Sequence, residues 1–424
     1  MARRRGLGAG GLVLSVAETM LAGGDFMCDL DHQRDDVAGR ELRAVPDIPS
    51  SPTFIALAKR FDEPVFAGIE AANAALVGRW FTALDAERRR ALVAVRPTLD
   101  LDPTDVEVYG RKKQGFAYNH TGQLVGRPHT AVWAEAGVVL AAELGDGRSD
   151  PRPQAPGLIR RAVAALPDGL EAPIVRCDSG FFDHKVAHAA VAAGCDFAIA
   201  AKRSPATWAA ARAVPEGAWR PAAGMAGAEV AMCDYTPAGW PPGTRCVVRR
   251  VRVDATEVSG DARSRRRRTI DPDQLALVLD GQASHAYAYS FIVTNLPWLP
   301  VALEWWFRQR ALIEERIKDA KLGAALRHLP SGYQAVNRIW MWAAFLALNI
   351  SGWLQTLART DISVDGRAHG KRLRRELICL CARVLHRGRR LVLRFAPGMR
   401  KGPFLRAWNT LRALPTYTPP APSG

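Results

Sequence analysis

The 424 residues, 48% hydrophobic and 24% charged, have the mix of a soluble globular protein and are enough to bury a large core in two or three domains. Lys plus Arg number 58 against 42 Asp plus Glu; a GC-rich codon bias explains Arg over Lys but not the net charge of +16, which points to a polyanionic partner, nucleic acid before membrane surface. The cysteines at 28, 177, 195, 233, 246, 379 and 381 are odd in number and lack a CxxC pair, which excludes a disulfide framework, and Cys379, Cys381 and His386 have no second half of a zinc site.

The opening MARRRGLGAGGLVLSVAETMLAGG has the outline of a signal peptide, but Glu18 and the glycines interrupt its apolar run, so export is not expected. Residues 12 to 90 read as mainly helical, with a helix start at Ser50-Ser51-Pro52 and no helix-turn-helix signature. From Val93 the period changes to two. In TLDLDP, Leu99 and Leu101 point one way while Thr98, Asp100 and Asp102 point the other. Residues 130 to 144 read as two further strand runs joined near Ala136-Gly137, and 157 to 166 as a helix closed by Pro167-Asp168-Gly169. A buried strand, Ile174 to Cys177, then ends on Asp178 before a tight Ser179-Gly180 turn, followed by a helix at 182 to 193 and a strand at 196 to 201. Three strands, helix, strand, helix, strand is the order of the ribonuclease H-like fold. The first three strands can form a meander, and the crossover makes the fourth parallel to the first, so that Asp102 and Asp178 meet at one sheet edge.

Between 202 and 296, runs such as CVVRRVRVDA, LALVLDG and AYAYSFIVTN predict a β-rich insertion, which also carries Arg263 and Arg265 to Arg268. Trp306 to Lys321 reads as one amphipathic helix: Phe307, Leu312, Ile313 and Ile317 on an apolar stripe, and Arg310, Glu314, Lys318 and Lys321 beside it. A carboxylate held between cations suits either a metal and phosphate site or a solvated face laced with ion pairs. Ile339 to Leu357, broken by Asn349, Ser351 and Gln355, reads as a buried core helix and not a membrane span. The tail from Arg367 to Arg406 holds thirteen Lys or Arg against one acid, Glu376, with Leu373, Leu377, Leu380, Val384 and Leu385 at helical spacing, so a folded basic helix facing backbone phosphate is expected. The final PTYTPPAPSG is expected to fray.

The architecture expected is therefore α/β: a ribonuclease H-like core in two parts, 91–203 and 298–360, interrupted by a β-rich insertion at 204–297, with a helical region at 1–90 and a basic helical region at 361–424. Two aspartates at strand ends and a glutamate on a helix form an oxygen-only set that suits two Mg²⁺ or Mn²⁺ ions and not zinc. Asp100, Asp105 and Glu315 are rivals that periodicity alone leaves open, though Glu315 is rotated by about 100° from Glu314.

LDLDPTD around Asp102, VRCDSGF around Asp178, and a signature of Tyr, two residues, Arg, three, Glu, six, Lys are the motifs of the DDE insertion-sequence transposases. This chain has Phe307, Arg310, Glu314 and Lys321 at those spacings and resembles that family over roughly residues 12 to 410, most closely its branch with a β-rich insertion, the IS thirteen-eighty group. The resemblance implies catalytic metal-ligand roles for Asp102, Asp178 and Glu314, with Asp102 preferred because the motif places its acid two residues before a threonine, here Thr104. It implies phosphate contacts for Arg310 and Lys321, with Lys318 on the same helix, and leaves Phe307 without the hydrogen bond of a tyrosine. Trp298, after FIVTNLP, stands either where relatives stack a tryptophan on a flipped base or in the core. The activity implied is metal-dependent cleavage at terminal inverted repeats and strand transfer, by a homodimer on double-stranded DNA, at the nucleoid in the cytoplasm and away from membranes. Such proteins usually have a longer N-terminal region, so the alternative is a truncated, non-catalytic DNA-binding remnant that occupies ends without cutting them.

Overall fold

TLDLDP alternates apolar and polar side chains, yet its first four residues are all buried, because the strand they form lies in the middle of a sheet covered on both faces. The computed structural model describes residues 7–110, 112–264, 266–360, 367–398 and 401–415. Arg265 and most of the final PTYTPPAPSG lie outside them. Strand β1 (Thr98–Pro103) pairs antiparallel with β2 (Leu124–Trp133), which pairs antiparallel with β3 (Val138–Asp146). On its other side β1 pairs parallel with β4 (Ile174–Cys177), and β4 pairs parallel with β5 (Asp196–Ala200). The meander and the parallel fourth strand expected from the sequence are both present.

The insertion does not fold apart from this core. Its long strands β6 (Ala228–Cys233), β7 (Arg245–Asp254) and β8 (His285–Thr294) extend the same sheet: β8 pairs antiparallel with β5, β7 with β8, and β6 with β7. The expected strand in LALVLDG is instead part of the helix Pro272–Leu279. Asp271 caps it by accepting from the Asp273 N–H at 2.9 Å, and Pro272 opens it, a start signal that outweighs the short apolar run.

Helices α1 (Ala9–Ala22), α2 (Glu63–Ala83), α3 (Pro151–Ala164), α4 (His184–Ala192) and α7 (Gln334–Leu357) cover the sheet. Two further helices, α5 (Pro300–Arg308) and α6 (Ala311–Gly323), lie between β8 and α7 and carry the acidic site. Leu12, Val16 and Met20 of α1 share a buried cluster with Ile339, Trp340 and Phe345 of α7, so the N-terminal helix is packed into the body of the protein. Among the described residues no helix is long and apolar enough to cross a membrane. The polar residues that break the apolar run of α7 have structural work instead. Asn349 accepts from the Val139 N–H at 2.9 Å and donates to the Val139 carbonyl at 2.9 Å and to Asn73 Oδ1 at 3.1 Å. Val139 lies where the β2–β3 register shifts, on the outer edge of the sheet, and the two asparagines satisfy backbone groups that no strand reaches.

The tail departs from the expected basic helix. A short helical turn, Gly370–Leu373, runs into a π-turn at Arg374–Ile378, followed by a two-stranded ribbon, β9 (Ala382–Arg387) and β10 (Arg390–Phe395), and a terminal helix, α8 (Lys401–Arg412). Gly388, at φ 61°, supplies the left-handed residue that a two-residue hairpin turn requires. Leu373 and Leu377 do sit on one buried helical face, but Val384 and Leu385 point to opposite faces of a strand.

Two stability measurements test this packing. Asn349→Ala orphans the buried Val139 N–H, while the Val139 carbonyl keeps its bond from Asn73 at 3.0 Å, and should destabilise the fold by about 1–3 kcal/mol, read by denaturant melts; a melt unchanged from the parent would contradict the network. His129, on β2, is fully buried with no hydrogen-bond partner on either ring nitrogen among the described residues. Burial, and then the nearby Arg127 charge, push its pKa down from 6.5 to about 4. In that window the unfolded chain binds the proton and the folded one does not, so stability should be complete above pH 6.5 and fall as acid is added toward pH 4, by about 3 kcal/mol at most. His129→Gln should flatten that part of the profile, and an equal slope in both proteins would exclude His129 as its source.

Candidate active site

Parallel pairing of β1 and β4 brings the carboxyl ends of both strands to one edge. Asp102 is the next-to-last residue of β1, and Asp178 follows directly on β4. The Asp178 side chain folds back as a cap, accepting from the Gly180 N–H at 2.8 Å, and a Cβ at Gly180 would stand only 2.9 Å from that carboxylate oxygen. A small residue is needed there for the turn to close.

Between the two acids lies a guanidinium. Arg310 Nη2 donates to Asp102 Oδ1 at 2.7 Å and to the Leu101 carbonyl at 3.3 Å, and it lies 3.8 Å from Asp178 Oδ2. Arg310 sits at a break that the sequence pattern did not show. The expected single helix from Trp306 to Lys321 is two, α5 and α6. At the joint Gln309, Arg310, Leu312 and Ile313 each donate to the carbonyl three residues back, at 3.0–3.1 Å, and this tighter winding divides α5 from α6. The expected apolar stripe is split as a result: Ile313 and Ile317 are buried, whereas Leu312 is 58% exposed.

Glu314 is exposed on the first turn of α6, beside the same edge. The Asp102 carboxyl is raised to about 6: burial pushes it up most, Arg310 pulls it down, and the charges of Asp178 and then Glu314 push it up further. Burial opposes the charge of Arg310, and the attraction of Asp102, Asp178 and Asp100 more than offsets that cost. Lys321 lies past the end of β1, its Nζ donating to the Asp105 carbonyl at 2.9 Å, with burial lowering its pKa.

The rival acids are committed elsewhere. Asp100 is fully buried and takes both arms of Arg176, at 2.6 and 2.8 Å, while Arg176 also donates to the Trp306 carbonyl at 2.5 Å and stacks 4.7 Å over the Trp306 ring. Asp105 pairs with Arg127 at 2.6 Å and accepts from Asn119 at 2.9 Å. Glu315 is 3.9 Å from Lys318 and 3.8 Å from His369, and among the described residues Lys318 has no ion pair with Asp102 or Asp178.

Phe307 is half-buried, packed with Trp298 and Trp306 against Ile292, Leu296 and Leu303. Trp298 meets Trp306 edge-on at 5.2 Å, an apolar setting in accord with the core alternative. The tryptophan that faces solvent beside this cluster is Trp305, 49% exposed, which the sequence pattern had not singled out. Its signal was available: adjacent tryptophans on a helix cannot both face the core.

Among the described residues no three His, Cys, Asp or Glu side chains are gathered closely enough to hold a metal ion. The chemistry of the set nevertheless fits a hard divalent cation. Asp102 and Asp178 converge from two strands on one positive group, and the Glu314 charge is felt by the same carboxylate. Arg310 is the cation that neutralises them in this structure.

Among curated proteins none matches the chain. The piggyBac transposase in its synaptic complex with hairpin DNA is similar to it over 88% of this chain and 72% of that one, at 10% identity and a TM-score of 0.44. The family model "Transposase DDE domain group 1" matches residues 9–260 and 279–416, and the chain belongs to that family.

Proposed function

We propose that this protein is the transposase of an insertion sequence, cutting DNA at the element's terminal inverted repeats and joining the ends to a target, and that its core is ribonuclease H-like. The observation that carries the reading is the convergence of Asp102 and Asp178 on the Arg310 guanidinium, in a chain of the DDE transposase family. The branch is that of the IS thirteen-eighty group, because β6, β7 and β8 lie between the second aspartate and the glutamate. Its substrate is double-stranded DNA, engaged by a homodimer because two ends must meet, and its place is the bacterial nucleoid.

Asp102, Asp178 and Glu314 would hold the divalent ions. When bound, a pair of Mg²⁺ or Mn²⁺ ions supplies electrophilic polarisation of the phosphate and activation of the attacking oxygen. The chain's own cations do the positioning. Arg310 reaches the space between the carboxylates from the α5–α6 joint and can trade its bond to Asp102 for one to a phosphate oxygen, again charge-assisted. Lys321 holds a second phosphate past the end of β1. Phe307 and Trp298 form an apolar wall on one side of that path, and Trp305 offers an exposed ring on which a base can stack.

The carboxylates are tested with a duplex carrying the repeats that flank the gene, incubated with Mg²⁺. Asp102→Asn, Asp178→Asn and Glu314→Gln should each abolish cutting and leave binding of the duplex intact. Asp100→Asn should behave differently, lowering stability by about 3–5 kcal/mol because it leaves Arg176 as an uncompensated buried charge. Cutting that survives in Asp102→Asn would sink the assignment, and a parent protein that binds the ends without cutting them under any divalent metal would favour the remnant.

Arg310→Ala separates a phosphate clamp from a structural ion pair. A charged hydrogen bond to phosphate is worth about 1.5–3 kcal/mol, so at a temperature where the variant is still folded cleavage should fall roughly ten- to a hundredfold, while the metal-free melting temperature drops because Asp102 loses its buried partner. Wild-type cleavage in that variant would leave Arg310 with no role toward DNA.

A further inference from the structure

The ribbon formed by β9 and β10 sorts its side chains by face. Cross-strand partners share a face, so Arg383 with Arg394, Leu385 with Val392, and Arg387 with Arg390 lie on one side of the ribbon. Val384 with Leu393 and Ala382 with Phe395 lie on the other. That second face is the more covered one: Val384, Leu393 and Phe395 are half-buried, Phe395 packs on Phe404 of α8 at 4.6 Å, and the exposed His386 on the same side lies 3.8 Å from Glu41. The first face therefore looks out, and all four of its arginines are exposed.

Cross-strand pairs of like charge destabilise a two-stranded ribbon, and here two such pairs, Arg383–Arg394 and Arg387–Arg390, are stacked on one face. The carboxylates near the ribbon do not relieve them. Among the described residues the ion pairs of this region join Arg375 to Glu376 and His386 to Glu41. A surface that concentrates unneutralised guanidinium groups on a two-stranded ribbon needs an anion from outside.

Resting on the transposase reading above, we propose that this ribbon is a DNA-docking element separate from the acidic site, and that it lies in the major groove of duplex DNA with its arginine face on the walls. The fit is geometric as well as electrostatic. The major groove, about 12 Å wide, admits a two-stranded β-ribbon. The two arginine pairs stand four residues apart along the strands, about 13 Å at about 3.3 Å per residue, so that phosphates on both walls come within reach of the long side chains. Arg389, in the hairpin turn beside Gly388, extends the same charge past the tip.

The full chain carrying Arg383→Ala, Arg387→Ala, Arg390→Ala and Arg394→Ala tests this, with binding of an end-containing duplex followed by fluorescence anisotropy across a series of salt concentrations. The variant should bind at least tenfold more weakly at about 0.1 M salt, and the slope of log affinity against log salt should be shallower by about 3 to 4, close to 0.9 for each phosphate no longer neutralised. The pairs Arg383→Ala with Arg394→Ala, and Arg387→Ala with Arg390→Ala, should each lose part of the slope. They report the same interaction should the fourfold variant fold poorly by thermal melting. Unchanged affinity and slope in the folded variants would overturn the proposal, as would a loss seen equally with anionic phospholipid vesicles or with single-stranded DNA of the same sequence. Failure of the transposase reading shows separately, as a parent protein that binds the duplex and never cuts it.

Discussion

Two carboxylates meet at the ends of two parallel strands, and one guanidinium stands between them. Asp102 and Asp178 reach that position because β1 and β4 run side by side in the same direction, which the helical crossover through α3 enforces. Packed this closely and half-buried, the two charges repel each other, and Glu314 adds to the repulsion, which is why the Asp102 carboxyl, already raised by burial, stands at about 6. Arg310 is what makes the arrangement tolerable. Everything that places Arg310 is therefore part of the site, including residues that never face it.

Foremost among those is the sealed pair of Asp100 and Arg176. Two residues before Asp102, and two before Asp178, it links β1 to β4 across the parallel ladder by both arms of one guanidinium. The third nitrogen of Arg176 holds the Trp306 carbonyl, and its plane lies over the Trp306 ring. That pins the last turn of α5 to the two strands whose ends carry the acids, three residues before the overwound joint from which Arg310 reaches back. A buried ion pair is weak evidence for stability in general, but here it ties three elements at one point and so fixes direction. The same alternation that set Asp100 and Asp102 on one face thus divides the work, one acid bracing the frame and the next facing the opening.

Much of this was legible in the sequence, for identifiable reasons. A period of two in TLDLDP, a buried strand stopping at Asp178, and a helix between them dictate the meander, the parallel pair and the meeting of the aspartates. Periodicity could not tell Asp100 from Asp102, since both lie on one face of the strand. Burial and the partner distinguish their surroundings, and the partner of Asp100, Arg176, came from a strand in which it read as one more residue. The break at Gln309–Arg310 was invisible because its residues are ordinary helix formers, and the tertiary pull of the acids on Arg310 overrides their propensity. The tail misleads for the opposite reason. Its leucines and valines fit a helical stripe by count, while Gly388 in a left-handed turn flanked by β-branched and alternating residues was the stronger local signal.

Two basic features of the chain differ in kind, and the difference says how charge is used. Arg310 is buried beside carboxylates, so its charge is satisfied inside the protein and becomes available to a phosphate only by exchange, which makes it sensitive to the geometry of whatever enters. Among the described residues the ribbon arginines have no carboxylate partner and stand in solvent, screened by counterions. The first, compensated where it stands, attracts little from a distance. The second attracts at a distance and discriminates little between sequences. Within the net charge of +16 stand two unlike cases: uncompensated charge on the outer face of a hairpin, and a local, compensated cation set among acids at the carboxyl ends of β1 and β4.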